Sequence, residues 1–281
     1  MRYSACDMSS AAPKLSCVVL NYNLKYLPRL CVETLQRSVC NFEFEIVVVD
    51  NASTDESLDY LRAMDERGEI RLVESGSNLG YGKGNNLGVY HSKGEYVLIL
   101  NPDVGVEENT LQLMVDYMEQ NPSVGLMGPQ LYFFNGQIQD SCRRFMRPQD
   151  LIIKRTPLRH LPFLKKQVDE YLMTDYDKKA MQEVDMVTGA CIILSRDFYN
   201  EIGGFDPRYF LFMEDADLCR KVWLAGRTVV YMPEARALHY HKRLSGGSIF
   251  KLFTKRIFWI HVRSALKYFW KWRGQENPHI K

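Results

Sequence analysis

Residues 45–55 read EIVVVDNASTD, a short apolar and β-branched run that ends at an aspartate and continues in small polar residues. An apolar run of this length, bounded by turn-forming residues, is typical of a buried strand. The stretches SCVVLNYN at 16–23 and YVLILNPD at 96–103 have the same form, and IRLVE at 70–74 is a shorter version of it. The first half of the chain is therefore predicted to contain four strands, at 16–20, 45–50, 70–74 and 96–100.

Helical patterns lie between and after these strands, near residues 26–39, 55–66, 83–92 and 107–120. Strands that alternate with helices predict βαβ units, and hence an α/β fold with a mostly parallel central sheet and flanking helices. Ser53, followed three residues later by Glu56, predicts a capping box for the second helix.

The second half of the chain is less regular. Residues 135–180 have mixed charge and no clear period, which predicts either a mobile loop or a helical insert. A strand is predicted at 184–195, a helix at about 215–225 that Gly226 ends, and another strand at 228–231.

Composition excludes several classes of protein. The 281 residues are 46% hydrophobic and 25% charged, as in an ordinary globular protein. No apolar run approaches the roughly 20 residues that a membrane-spanning helix needs, and residues 1–13 read as a flexible tail without the apolar core of a signal peptide. The seven scattered cysteines suggest neither a disulfide framework nor a CxxC metal site. These features predict a reduced, cytoplasmic protein.

The net charge of +2 conceals a basic, aromatic C-terminal segment, since residues 235–275 hold ten Lys or Arg and no acid. In a helical projection of 249–273, the basic residues occupy one broad side. The opposite face carries Phe250, Ile257, Phe258, Ala265, Tyr268 and Trp272. The separation is imperfect because Trp259, Leu266 and Trp270 share the basic side. A helix on an anionic membrane is favoured over a helix docked on the protein with its basic side in water. No fold motif supports nucleic-acid binding.

Polar or glycine-rich sequences follow all four predicted strands. Ligands of an open parallel sheet bind outside the carboxyl ends of its strands, so four such ends together predict a binding crevice. These ends are NYN at 21–23, DNASTD at 50–55, NLGYGKGNN at 78–86 and NPD at 101–103. Glycines at 80, 82, 84 and 88 do not form the dinucleotide fingerprint GxGxxG, and no P-loop is present. Close approach of this backbone to a nucleotide or sugar is favoured over a glycine-rich turn without a ligand.

Seven motifs in this order resemble the family-2 inverting glycosyltransferases, and most of all the rhamnosyltransferase-like group of bacterial cell-surface polysaccharide synthesis. They are VVLNYN, VVVDNASTD, NLGYGKGNN, LILNPDV, TGACIILSR, GGFDPRYFLFMEDADLCRK and ALHYH. The resemblance extends from about residue 15 to residue 239, roughly four-fifths of the chain. It implies the GT-A fold, with a nucleotide-binding half at about 14–128 and an acceptor half at about 129–240. Residues 241–281 would form the membrane-associating or docking tail.

The resemblance also implies which residues bind the nucleotide-sugar donor. They are Asn21, Asn23, Asp50, Ser53, Asn78, Gly80, Tyr81, Gly82, Asn86 and Asn101. For Asp50 the alternative is a turn or helix-capping carboxylate. The motif at 101–103 corresponds to the family's metal motif DxD, but Asn101 replaces its first aspartate. Asp103 is therefore expected to bind a divalent cation, Mg²⁺ or Mn²⁺, directly, with His239 as a candidate third contact to the metal or the diphosphate.

The Glu-Asp pair at 214–215 corresponds to the family's catalytic position, with Asp215 as general base on the acceptor hydroxyl. Glu214 and Gly189 are assigned to the acceptor region. The alternative is that the acids here only complement a helix N-terminus. Asp217 and Lys221, four residues apart, are predicted to form a surface pair. His239 and His241 share one side of a strand, but no further zinc ligands stand at a recognisable spacing.

The predicted function is inverting transfer of a sugar from a nucleoside diphosphate sugar, such as dTDP-rhamnose or a UDP-sugar, to a hydroxyl of a lipid-linked saccharide. The product would enter O-antigen or capsule synthesis, and the enzyme would be peripheral at the inner face of the cell membrane. Two alternatives are an inactive nucleotide-binding module of a membrane synthesis complex and a sugar-phosphate nucleotidyltransferase. The sequence does not indicate the oligomeric state.

Overall fold

The computed structural model describes residues 12–155, 161–174, 176–240 and 256–278. Its strands are β1 Leu15–Asn21, β2 Phe44–Asp50, β3 Arg71–Glu74, β4 Tyr96–Leu100, β5 Val104–Val106, β6 Val124–Tyr132, β7 Cys142–Arg143, β8 Gln182–Glu183, β9 Met186–Val187, β10 Cys191–Ser195 and β11 Thr228–His239. Its helices are α1 Leu27–Gln36, α2 Ser57–Glu66, α3 Tyr81–His91, α4 Thr110–Gln120, α5 Pro148–Arg155, α6 Pro162–Leu172, α7 Arg196–Glu201, α8 Glu214–Leu224 and α9 Arg256–Lys271.

The central sheet has the strand order β3-β2-β1-β4-β10-β6-β11-β5, with β8 beside β11. The first four strands in this order are mutually parallel, so their carboxyl ends share one edge. Strand β10 is antiparallel to β4 and β6, which makes the sheet mixed beyond that point. The chain order reverses between β1 and β4, and a crevice opens at such a switch point.

Helices cover both faces of this sheet because successive side chains of each buried strand point to opposite faces. In β1, Cys17 and Val19 pack in one core with α1, α2 and α4. Val18 packs in the other, with residues of α3, α7, α8 and α9. The prediction of an α/β fold with flanking helices is confirmed, and all four strands predicted in the first half form in the parallel part of the sheet.

Three local predictions were wrong or incomplete. Ser53 does not cap α2, because its hydroxyl accepts a hydrogen bond from the backbone amide of Asn23 after β1. At the helix start, Asp55 accepts from the Ser57 amide instead. The strand predicted at 184–195 is interrupted, since residues between β9 and β10 form a turn. The strand predicted at 228–231 continues to His239. Within 135–180, the described residues include α5 and α6, which makes this segment a helical insert.

The C-terminal helix α9 docks on the protein through one face. His261, Ser264, Ala265 and Tyr268 are buried there, and the Ser264 hydroxyl donates to the carbonyl of Leu211 at 2.8 Å. Docking is thus the observed arrangement for this part of the tail, while residues 1–11, Phe250 and His241 lie outside the described residues. Across the described ranges, none of the helices combines the length and apolar character needed to cross a bilayer.

Candidate active site

The ends of β1 and β2 are joined by a buried polar network. Asn21 Nδ2 donates to Asp50 Oδ1 at 3.0 Å and to the Ser53 hydroxyl at 3.1 Å. The Ser53 amide donates to Asp50 Oδ2 at 2.9 Å, and the same hydroxyl accepts from the amide of Asn23. Asn23 has a φ of 53°, in the left-handed region that asparagine tolerates. Asp50 therefore acts as a turn carboxylate, and its contact with the nucleoside stays a prediction.

The loop before α3 is held by Asn51, a residue that sequence reasoning missed. Its amide nitrogen donates to Asn78 Oδ1 and to the Gly80 carbonyl, each at 3.2 Å. Its amide oxygen accepts from Leu79 N at 2.9 Å. Asn78 in turn accepts from the Gly80 amide at 3.0 Å. A single buried side chain thus fixes the predicted nucleotide-binding loop against the end of β2.

The glycines of this segment allow close contact within the protein. Gly80 has a φ of 81°, and a Cβ there would lie 2.2 Å from the Phe210 carbonyl oxygen. A Cβ at Gly82 would meet Phe205 at 3.1 Å, and one at Gly84 would meet Leu20 at 2.5 Å. The glycine spacing is explained by packing of α3 against β1 and against the loop before α8. Direct contact with a nucleotide or sugar remains a prediction.

Asn86 also joins α3 to the loop before α8. Its Nδ2 donates to the Phe205 carbonyl at 2.8 Å, and its Oδ1 accepts from the Phe205 amide at 3.0 Å and from the Tyr199 hydroxyl at 2.5 Å. The predicted donor-binding helix is therefore fastened to the segment that leads to Asp215.

Asp103 and His239 meet at the carboxyl ends of β4 and β11. Asp103 Oδ1 lies 3.5 Å from His239 Nε2. Gln139 donates from Nε2 to the His239 carbonyl at 2.8 Å, which orients its amide so that Oε1 accepts from His239 Nδ1 at 2.9 Å. In the neutral imidazole with its proton on Nδ1, the Nε2 lone pair is directed at Asp103, and both atoms could bind a cation between them. In the imidazolium the same two atoms form an ion pair.

This pair fits one part of a divalent-metal site. A metal-binding histidine characteristically donates its other ring N–H to a protein acceptor, as His239 does to Gln139. Within the described ranges, no group of three or more His, Cys, Asp or Glu side chains could hold a metal by itself. A cation bound here would therefore need oxygens from a substrate or from water, which is usual for Mg²⁺ with phosphates.

A short turn connects this pair to the acidic end of α8. The Asn101 amide donates to the Ala190 carbonyl at 2.8 Å. The neighbouring Gly189 donates from its amide toward Asp215 Oδ2 at 3.4 Å and accepts from the Tyr81 hydroxyl at 2.5 Å. Four segments that are distant in sequence thus converge here, and a Cβ at Gly189 would already touch Asp215 and Tyr81 at 3.3 Å.

The two carboxylates at the start of α8 differ in their surroundings. Asp215 is half-buried and also accepts from the Ala216 amide at 2.8 Å. Glu214 is buried, and its Oε2 has no hydrogen-bond partner among the described residues. Burial raises the pKa of Glu214, and the Asp215 charge raises it further. Burial also raises the pKa of Asp215, although backbone amides and Arg143 oppose that shift. The negative charge of the pair is therefore best placed on Asp215.

The backbone before α8 is strained. Phe212 and Met213 have φ values of 70° and 72°, and consecutive left-handed residues other than glycine cost about 1–3 kcal/mol each. Such conformations persist only where surrounding contacts impose them. Here they turn the chain so that Glu214 and Asp215 lie at the start of a helix, where backbone N–H groups can donate to a carboxylate.

Asp217 does not form the predicted surface pair with Lys221. It is fully buried and accepts from the Tyr209 hydroxyl at 3.2 Å, from Trp272 Nε1 at 2.8 Å and from Lys271 Nζ at 2.8 Å. Lys221 instead donates to the Gly204 carbonyl at 2.7 Å. The third acid of the motif therefore ties α8 to α9.

A family model described as glycosyl transferase family 2 matches residues 16–203, which include the strand-end network, Asp103 and Gly189. The chain belongs to glycosyl transferase family 2. Membership confirms the resemblance that the seven motifs indicated.

Curated relatives of this family-2 chain include rhamnosyltransferases. The N-acetylglucosaminyl-diphospho-decaprenol L-rhamnosyltransferase of Mycobacterium tuberculosis is 30% identical over 217 residues, which cover 72% of this chain and 68% of that protein. Rhamnosyltransferase WbbL of Escherichia coli K12 is 26% identical over 222 residues, covering 73% of this chain and 76% of the relative.

Solved structures show the fold of this family-2 chain to be that of GT-A glycosyltransferases. GalNAc-T7 with UDP, GalNAc and Mn²⁺ aligns with a TM-score of 0.66 at 14% identity, over 95% of this chain and 49% of that one. The mannosyltransferase PcManGT of Pyrobaculum calidifontis, in complex with GDP-Man and Mn²⁺, aligns with a TM-score of 0.57 at 20% identity. That alignment covers 84% of this chain and 59% of the archaeal one.

The predicted site residues of this glycosyltransferase fall into two connected groups. The strand-end network and the loop before α3 form one group, and the residues around Asp103, His239 and Asp215 form the other. Sequence reasoning missed Asn51 and Gln139. Asn51 lies in the polar strand end DNASTD at 50–55, so its position could have indicated a structural role. Gln139 lies in the irregular segment 135–180, where no motif marks it.

Proposed function

We propose that this family-2 chain transfers a sugar, with inversion, from a nucleoside diphosphate sugar to a hydroxyl of a lipid-linked saccharide in surface polysaccharide synthesis. The Asp103–His239 pair carries the proposal, because its geometry suits a cation and it is joined through Ala190 and Gly189 to the carboxylate of Asp215. The mycobacterial relative is named for an acceptor on diphospho-decaprenol, which supports the lipid-linked class. Rhamnose, carried by dTDP, is the first donor to test.

The donor would lie along the carboxyl ends of β1, β2 and β4. Its nucleoside would contact the Asn21–Asp50 network, and its diphosphate would approach Asp103 and His239. A divalent cation bound there would stabilise negative charge on the diphosphate as it leaves. Both GT-A structures described above contain Mn²⁺, which supports a divalent cation for this chain as well.

Asp215 would take the proton from the acceptor hydroxyl as that oxygen attacks the anomeric carbon from the face opposite the diphosphate. The attack forms the new glycosidic bond and breaks the bond to the diphosphate, so the configuration inverts. Burial of Glu214 as a neutral acid keeps the charge on Asp215, where Gly189 and Ala216 hold the carboxylate in position.

The exposed face of α9 has the composition of a membrane-binding surface. Its exposed residues follow helical spacing and contain no acid: Arg256, Trp259, Arg263, Leu266, Lys267 and Trp270. Interleaved basic and aromatic side chains suit the headgroup region of an anionic bilayer. Trp259, Leu266 and Trp270, the apolar residues that the helical projection put on the basic side, are 57%, 66% and 69% exposed. We therefore place the protein peripherally on a membrane, with the opposite face of α9 docked on the enzyme.

The test is a transfer assay with dTDP-rhamnose and with UDP- and GDP-sugars, each with Mn²⁺, Mg²⁺ or EDTA. The acceptor is N-acetylglucosamine on a short-chain lipid diphosphate, and mass spectrometry and the anomeric NMR coupling report the product. Metal-dependent transfer with inverted configuration is expected from one donor. Nucleotide binding without transfer to a broad acceptor panel would instead identify an inactive binding module. Release of pyrophosphate from a nucleoside triphosphate would identify a nucleotidyltransferase.

A further inference from the structure

A cavity of about 750 Å³ lies between the helical insert and the C-terminal segment, and none of the residues in the proposed mechanism lines it. Four arginines line it, Arg144, Arg147, Arg220 and Arg273, against two acids. The remaining wall is largely apolar and aromatic, with Phe145, Tyr171, Tyr268, Phe269 and Trp272. The cavity thus combines an excess of positive charge with a surface suited to hydrocarbon.

Arg220 is a buried cation of this cavity whose observed partners are neutral. The residue is 6% exposed, and its guanidinium lies over the rings of Trp272 and Phe145 at 5.0 and 5.7 Å. Its Nη2 donates to the carbonyls of Gln275 and Glu276 at 2.9 and 2.7 Å. It also acts on the hydroxyl of Tyr268, where it opposes the rise that burial causes in the pKa. Carbonyls, a hydroxyl and aromatic rings leave much of the charge uncompensated, so an anionic ligand in the cavity beside Arg220 would be stabilised.

The walls of the cavity are held in position by the carboxylate of Asp185. Asp185 is fully buried and accepts from Arg144 Nη1 at 3.0 Å, from the Phe145 amide at 2.8 Å and from Asn277 Nδ2 at 2.9 Å. One side chain therefore holds the start of the insert and the end of the described chain together. Preorganised walls of this kind reduce the entropy lost when a ligand binds.

The cavity lies close to the proposed catalytic base. Tyr171, which lines the cavity, is near enough to Asp215 for that charge to raise its pKa. Arg143, whose charge acts on Asp215, directly precedes the lining residue Arg144. The wall that contains Tyr171 and Arg144 therefore suits a molecule that places one sugar hydroxyl at Asp215 and an anionic group among the arginines.

We propose that this cavity binds the diphosphate and the first apolar segment of the lipid that carries the acceptor saccharide, an inference that rests on the proposed function. Arginine recognises phosphate through paired N–H donors, and the aromatic wall receives the hydrocarbon. The donor diphosphate belongs elsewhere, at the carboxyl ends of the parallel strands. The insert and α9 would then select acceptors by their lipid carrier, separately from the donor sugar.

The direct test is binding of farnesyl diphosphate, measured by calorimetry with the full chain in saturating UDP and Mn²⁺, so that the donor site is filled. Farnesol and inorganic pyrophosphate are the matched probes, and both should bind at least tenfold more weakly. Arg147→Gln, an exposed change, should weaken farnesyl diphosphate binding roughly tenfold. Arg37→Gln, also exposed but outside the cavity, should leave it unchanged. Arg220→Lys should weaken it as well, and a melting curve checks that this variant is folded.

The second readout is transfer. Arg147→Gln should raise KM for the lipid-diphosphate acceptor about tenfold and leave KM for a benzyl glycoside of the same sugar unchanged. Displacement of farnesyl diphosphate by UDP, or equal binding by wild type and Arg147→Gln, would overturn the site. Farnesyl diphosphate binding without transfer from any donor would overturn the proposed function and leave the site standing. Transfer without farnesyl diphosphate binding would overturn the lipid-diphosphate site and leave the proposed function standing.

Discussion

Lys271 Nζ donates to Oδ2 of Asp217 at 2.8 Å, and this contact joins the C-terminal helix to the helix that begins with Glu214 and Asp215. Asp217 is fully buried, and the Lys271 side chain is only 16% exposed. Lys271 also donates to Asp206 at 2.7 Å, in the loop that approaches α8. The outer helix α9 therefore helps to hold the helix that carries the proposed catalytic residues.

Replacing Lys271 should destabilise the fold. Lys271→Met leaves a buried carboxylate at Asp217 without its cation, and loss of one partner of a buried pair costs about 3 kcal/mol. Urea unfolding followed by circular dichroism measures the loss. Arg263→Met, an exposed change on the same helix, should cost less than about 0.5 kcal/mol. Equal losses in the two variants would show that the Lys271 contacts contribute no stability.

Asp215→Asn should abolish transfer while donor binding is retained. An amide cannot accept the acceptor proton, and loss of a general base lowers kcat by roughly 10²- to 10⁴-fold. Single-turnover kinetics with saturating donor and calorimetry with the nucleotide separate the two effects. The control is Asp197→Asn, an exposed acid in the first turn of α7. Turnover near the wild-type rate in Asp215→Asn would remove Asp215 from the catalytic step.

The activity should rise with pH over a range above the ordinary carboxyl pKa of about 4. Burial raises the pKa of both Glu214 and Asp215, and the base must be deprotonated to act. Raised acid pKa values mean that the folded state binds these protons more tightly, so this pair destabilises the fold once pH exceeds the unfolded pKa.

Glu214→Gln tests which of the two acids carries the charge. Because Glu214 is held neutral beside the charged Asp215, the uncharged amide should leave the acidic limb of the kcat profile unchanged. The amide cannot ionise in its buried position, so stability at pH 8 should increase. A pH–rate profile and a melting curve measure these effects, with Glu201→Gln as the exposed control. An acidic limb that moves to lower pH would show that Glu214 is charged next to the base.

Much of this site follows from local sequence, because the strands and their polar ends are local patterns. The location of Asp103 after β4 and of Asp215 at the start of α8 follows from motif position, while their roles stay predictions. Gln139 could not, since its contact with His239 depends on how an irregular segment crosses the end of β11. The partners of Asp217 were equally hidden, because charge spacing along a helix indicates Lys221, while the tertiary structure brings in Lys271 from the tail. Contacts between segments that are distant in sequence do not produce a periodic sequence pattern, so they could not be predicted.

His239→Gln should weaken nucleotide binding only when metal is present. The amide loses the imidazole Nε2 that faces Asp103, so UDP or dTDP should bind roughly tenfold more weakly with Mn²⁺ and equally well in EDTA. Asp103→Ala should remove the metal dependence altogether. Calorimetry with and without Mn²⁺ measures both variants, and His91→Gln, at the end of α3, is the control. Retention of the full Mn²⁺ effect in Asp103→Ala would place the cation elsewhere.

The outer stripe of α9 should bind anionic vesicles through its aromatic and basic residues together. Trp259 and Trp270 are exposed beside arginines, and indole rings gain stability in the headgroup region while each basic residue adds about 1 kcal/mol near an anionic surface. The double variant Trp259→Ser/Trp270→Ser should reduce co-sedimentation with vesicles containing phosphatidylglycerol at least tenfold. Tyr90→Ser removes an aromatic side chain of still greater exposure outside this helix and should have no effect. Binding to neutral vesicles should be weak for every variant, and 0.5 M salt should lower the wild-type signal. If the double variant binds as well as wild type, the stripe is not the membrane contact and the tail serves only to support α8.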